Sequence, residues 1–195
     1  MAKKIHLILI AILSLHLIAA ADSPPTPDVA EAISSSTDST ALWQNDNSPL
    51  DTAAAICNPS AIPVQNALFE QKIIELVNQE RAAAGLPPLK GNDSLSSASR
   101  YHANDMFADV YFNHDTYDRI NGDLQFACGV WQRITTFYTF STAGENIAAG
   151  YTTPENVMAG WMASDGHRAN ILNPNFRELG VGYYYGANQS FSHYW

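Results

Sequence analysis

The chain has 195 residues, 46% of them hydrophobic and 15% charged, a balance that suits one globular domain with some extra length rather than two domains. Its formal net charge is −9, and no basic stripe interrupts the acidity. That argues against nucleic acid as a partner and against a standing attraction to anionic lipid headgroups.

In chain order, Lys3 and Lys4 precede an apolar run from Ile5 to about Ala19 and the small-residue site Ala19-Ala20-Ala21. This layout predicts a cleaved secretory signal peptide over residues 1–21. The alternative, a membrane anchor, needs roughly 20 apolar residues, more than the run supplies. Cleavage would remove two lysines and no acid, moving the net charge from −9 to −11. With no later spanning segment, and no cysteine beside the cleavage site to carry a lipid, the mature chain is expected to be exported. It would be secreted, extracellular or periplasmic, with no stable membrane insertion.

Residues 22–60 are rich in Pro, Ser, Thr, Asp and Ala with almost no apolar periodicity, and read as a disordered or weakly ordered linker before a domain at 61–195. In an exported chain Cys57 and Cys128 are expected to form a disulfide. The domain opens with Phe69, Ile73, Leu76 and Val77 at helical spacing, and Gly85 with Pro87-Pro88 ends that helix. A second helix is expected from an N-cap at Asn92 or Asp93 through Phe112, with Leu95, Ala98, His102 and Met106 on one face. Residues 113–142 read as a long irregular excursion. Thr153 as N-cap and Pro154 at the first helical position start a third helix with Val157, Met158 and Trp161 on its apolar face. Strands fit Gly144–Gly150, Leu179–Gly186 and Phe191–Trp195, the last two joined by a turn containing Gly186 and Asn188. Helices and strands that neither alternate nor segregate predict an α+β layered sandwich.

Among titratable groups, His114, Glu145 and His167 sit at the ends of expected elements, where side chains converge on clefts. Two imidazoles and a carboxylate are a common zinc set that leaves a position open; the competing reading is a buried hydrogen-bonded network. His167 follows an Asp-Gly turn behind the third helix. His102, mid-helix beside Leu95 and Met106, reads as a satisfied core histidine. No Gly-x-Ser-x-Gly elbow or phosphate-binding glycine loop is present.

LVNQERAAAGLPPL, the histidine of YFNHD, GENIAAG, WMASDGHRANIL and LGVGYYYG, in that order, resemble the CAP superfamily of cysteine-rich secretory proteins, venom antigen five and plant pathogenesis-related group-one proteins, especially its bacterial branch. The resemblance implies a three-layer α-β-α sandwich with a small, mainly antiparallel central sheet, and a cleft holding two histidines and two acids. Motif by motif, His114 matches the first histidine, Glu145 the acid of GEN, and His167 the second histidine. The second acid falls on Ser164, as in the bacterial branch, with Asp165 beside it. The implied cleft is therefore His114, Glu145, Ser164, Asp165 and His167, and His114 with His167 would hold zinc or another divalent cation. Arg168 and Asn170 look like supports donating to backbone carbonyls. Similar bacterial domains carry a few residues beyond the position of Trp195, so either the sequence is truncated or its last strand is short.

The family shares no single activity, so the resemblance fixes the fold more than the function, and three functions are weighed. The first is a non-enzymatic binding module outside the cell or in the cell envelope, for a sterol, fatty acid or other small apolar ligand or an envelope component, with Tyr183, Tyr184, Tyr185 and Trp131 as candidate lining. The second is a zinc-dependent hydrolase or peptidase with Glu145 as catalytic base. The third is a structural or interaction protein of the cell surface.

Overall fold

The computed structural model describes Cys57, residues 60–187 and 189–195, and the backbone of Ala32–Ser34. The expected signal peptide, the rest of the linker to residue 56 and Asn188 lie outside the described residues. Three residues of the segment expected to lack structure form a strand, β1 (Ala32–Ser34).

The domain begins with α1 (Ala67–Ala83), whose N-cap Asn66 accepts a hydrogen bond from the Phe69 amide. It ends where Gly85 takes φ 72° and the Leu86 amide returns to the Arg81 carbonyl at 2.8 Å, a left-handed stop that glycine adopts without a Cβ penalty. After β2 (Lys90–Gly91), Asn92 caps α2 (Asp93–Ala108) as expected, accepting from the amides of Ser94 and Leu95. The helix stops four residues before Phe112, because Val110 turns left-handed at φ 57° and the Tyr111 amide closes back on the Met106 carbonyl.

The excursion expected at 113–142 is instead largely regular. It contains a hairpin of β3 (Thr116–Ile120) and β4 (Asp123–Cys128), then α3 (Val130–Thr135). Asn121 and Gly122, at φ 54° and 95°, make the two-residue turn whose twist matches the paired strands. Next come β5 (Gly144–Asn146) and α4 (Pro154–Ala163), the latter capped by Thr153 as the sequence predicts. The Asp-Gly pair behind it is no open turn: Ser164 breaks the helix, and a new one, α5 (Asp165–Ile171), starts at once. The chain closes with β6 (Glu178–Leu179), β7 (Tyr184–Tyr185) and β8 (His193–Tyr194).

Among the described residues the strands form two-stranded ladders, β1-β5, β3-β4 and β7-β8 antiparallel and β2-β6 parallel. Ala148 and Trp195 exchange both backbone hydrogen bonds, at 2.9 and 3.2 Å, which joins the chain beyond β5 to the last strand. Alternation along these strands builds the layers. Ala148, Tyr183 and Trp195 pack with Ile73 and Val77 of α1 and Val157, Met158 and Trp161 of α4, whereas Ile147, Ala149 and Tyr194 pack with Ala103 and Met106 of α2. Helices thus cover both faces, and the fold is the expected α+β sandwich. Gly180 and Gly182 of the LGVG stretch lie against α2, where an added Cβ would fall 2.2 Å from the backbone of Leu95 or of Ser99 and Arg100. Only glycine allows that approach.

Candidate functional site

Five segments meet at a buried polar cluster. His102 comes from α2, His114 from the bend before β3, Thr116 from β3, Arg133 from α3 and Glu145 from β5. The Nδ1 of His114 lies 2.9 Å from Oε1 of Glu145, and Arg133 donates to the other carboxylate oxygen. Arg133, fully buried, also donates to Nδ1 of His102 at 3.0 Å, to the His114 carbonyl at 2.7 Å and to the Thr116 hydroxyl at 3.2 Å. The start of α3 aims it there: Oδ1 of Asp115 accepts from the Val130 amide, and the Gln132 side chain accepts from the Gly129 amide.

Because Nδ1 of His102 accepts from a guanidinium, its proton resides on Nε2, which donates to the Asn113 carbonyl at 2.9 Å. Burial, with Arg133 adding to it, pushes this imidazole down to about 3, so it is neutral, the satisfied core histidine the sequence predicts. Burial alone would raise the Glu145 carboxyl, but Arg133 and the His114 hydrogen bond outweigh it and hold the group at about 2.

The other expected cleft residues are arranged around β5. His167 is the third residue of α5 and fully buried. Asn170 of α5 donates to the Glu145 carbonyl at 3.2 Å and to the Asn146 side chain at 2.9 Å, and Asn146 donates to the His167 carbonyl at 3.1 Å. Asn170 is thus the backbone support expected, and Arg168 likewise donates to the Met162 carbonyl at 2.9 Å. Gly144 is backed by Asn170 and Phe176, with 2.8 Å left for a Cβ. Ser164 caps the junction of α4 and α5, its carbonyl accepting from the Arg168 amide. The Asp165 side chain is 93% exposed and pairs with Arg168, so it does not replace the missing acid beside Glu145.

Sequence reasoning missed Arg133. Nothing in its local pattern separates a buried arginine from a surface one; only the pairing of Glu145 reveals it.

Next to the cluster lies a cavity of about 130 Å³, lined mainly by apolar side chains such as Ile73, Val77, Leu89, Trp161, Ile171 and Val181, with Ser99, Glu145, Asn146, Asn170 and Glu178 as its polar lining. A groove of about 290 Å³ adjoins it between residues 138–144 and 175–178, and none of the clustered histidines lines either space. Tyr183, Tyr184, Tyr185 and Trp131 line neither space; Tyr183 instead packs against Phe69 and Trp195. Among the described residues, the group of three or more acidic, His or Cys side chains close enough to share a metal is Asp105, Asp109 and Asp118, apart from this site.

An α+β domain whose helices cover both faces of a small strand layer is the architecture of the cysteine-rich secretory protein class. The CAP family model, described as the cysteine-rich secretory protein family, matches residues 74–195, and the chain belongs to that family. It is 38% identical over 159 residues to an uncharacterized protein of Bacillus subtilis, YkwD, covering 80% of this chain and 58% of that protein. An extracellular protein of Bacillus anthracis containing an SCP domain superposes with TM-score 0.54 at 30% identity, over 65% of this chain and 39% of that one. An outer surface protein of Borrelia burgdorferi shares the fold, with TM-score 0.56 at 17% identity, over 70% of this chain and 93% of that one. The chain thus spans little more than half of its Bacillus subtilis relative and less than half of the Bacillus anthracis protein. The Cys57–Cys128 disulfide is formed, and no described helix is long and apolar enough to cross a membrane.

Proposed function

We propose that the domain is a non-enzymatic binding module, exported to the cell exterior or envelope, that takes a slender apolar ligand into the cavity beside Glu145. The observation that carries this reading is the cavity itself, mainly apolar with a few polar side chains in its lining. That pattern suits a chain with a hydrogen-bonding head. Its volume of about 130 Å³ is near that of an engineered pocket that admits benzene (~150 Å³), so a fatty acyl segment fits and a whole sterol nucleus does not. Retention of labelled fatty acids and sterols by the purified protein tests it: fatty acids should be held and sterols not, and retention of neither would refute the proposal.

The cluster disfavours hydrolysis. A carboxylate held at about 2, with both oxygens engaged, is a weak base near neutrality. The same engagement makes Glu145 unsuited as a metal ligand, with the Arg133 guanidinium against it. What the pairing does support is a carboxylate that orients His114, since a metal-binding imidazole commonly gives its other N–H to an acid. A divalent cation such as zinc would then be held by His114 and His167. Calorimetric titration of zinc into metal-free protein should give micromolar binding that disappears in His114→Ala and in His167→Ala. No heat, or heat unchanged in both variants, would remove the metal from the account.

A further inference from the structure

The outer edge of β5 is filled by a strand from far outside the domain. Ala32–Ser34 pairs antiparallel with Gly144–Asn146, Ile33 opposite Glu145, and also packs on α5, which carries His167 and Asn170. We propose that this edge is an acceptor site for an extended peptide, and that Ala32–Ser34 occupies it in cis as an exchangeable plug.

Three observations support the assignment. First, β5 is pre-organised: Gly144 is backed by Asn170 and Phe176, Glu145 is fixed by His114 and Arg133, and Asn146 is held between Asn170 and the His167 carbonyl. A rigid strand with an available edge is what peptide binding by strand addition requires, main-chain hydrogen bonds giving the affinity. Second, β5 pairs with no other strand among the described residues, the ladder to the last strand beginning only at Ala148. Third, a two-stranded ribbon of three residues is marginal by itself, and short strands such as AIS against GEN fix their register weakly. Its occupancy therefore depends on the tether. Residues 35–56 lead to Cys57, which the disulfide anchors to Cys128 at the end of β4. Such a link raises the effective concentration of the plug above that of a free competitor without making the pairing permanent. This site is independent of the acyl-ligand reading, whose retention assay neither supports nor opposes it.

The test compares the unaltered chain with Ile33→Pro, which places a φ-fixed residue without a backbone N–H at the centre of the strand, and with Thr40→Pro, which lies outside the strand. Amide hydrogen exchange is read at Gly144–Asn146, and amides of α2 report that each variant is folded. Binding of a fluorescein-labelled peptide of residues 28–38 is measured on the same proteins. Exchange at β5 should quicken at least tenfold in Ile33→Pro and stay unchanged in Thr40→Pro. The labelled peptide should bind Ile33→Pro far more tightly than the unaltered chain and be displaced by unlabelled peptide. Equal exchange in all three chains, acceleration in Thr40→Pro as well, or no peptide binding by Ile33→Pro would each overturn the proposal.

Discussion

Arg133 touches α2, the bend before β3, β3 and β5 at once, and each contact is made inside the protein. Removing one partner of a buried ion pair leaves the other uncompensated, so Arg133→Ala should cost roughly 3–5 kcal/mol in urea unfolding; a loss under about 1 kcal/mol would mean the cluster is not a fastening point. The neighbouring titrations oppose one another. His102 is held at about 3, so between there and its ordinary value only the unfolded chain binds the proton, and stability rises with pH. Asp105, against Tyr111, is raised by burial to about 6, so above its ordinary value the native state binds the proton, and stability falls with pH. The two effects nearly cancel between pH 4 and 6. Asp105→Asn should therefore expose the His102 limb, with stability rising by about 1.4 kcal/mol per pH unit across that window. Parallel curves for the two proteins would contradict the assignment. Below pH 4.5, Glu145, held at about 2, adds a further loss as pH falls.

At the scale of elements, the left-handed stop of α2 falls on Val110, a β-branched residue 51% exposed. Glycine would relieve that conformation while giving up little burial, so Val110→Gly should stabilise the protein by about 1 kcal/mol in thermal or urea unfolding; destabilisation would mean its side chain contributes more than its backbone costs. Such local signals explain which elements were legible. Asn92, Thr153 and Pro154 announced the starts of α2 and α4, and periodicity announced α1. The hairpin was missed although Asn121-Gly122 is a strong turn signal and Leu124, Phe126 and Cys128 alternate behind it; in the fold Leu124 and Phe126 are exposed, so that alternation marks no buried face. The last helix of the site, α5, was hidden by Asp165-Gly166. The pair reads as a turn, but here Asp165 sits in a first helical turn and pairs with Arg168. For the site itself, ordered motifs pointed to His114, Glu145 and His167, of which the first two are hydrogen-bonded to each other and the third meets β5 through its carbonyl and Asn146. The charge that governs Glu145 comes from Arg133, placed by tertiary packing alone.

Over the whole molecule, helices on both faces enclose a small strand layer, and the disulfide ties the start of the domain to its hairpin. Closing a loop with sequence separation 71 should contribute about 4 kcal/mol in the chain-entropy model. That architecture sets a mainly apolar cavity beside the ionised, immobilised Glu145 carboxylate, which is the basis for proposing binding rather than turnover. The most direct measurement is calorimetric titration of dodecanoate into the purified protein and into Val181→Phe, which fills the cavity wall, with circular dichroism confirming that both are folded. The account predicts saturable one-to-one binding to the unaltered chain and at least tenfold weaker binding to Val181→Phe. Absence of binding, or equal affinity in the two proteins, would contradict it.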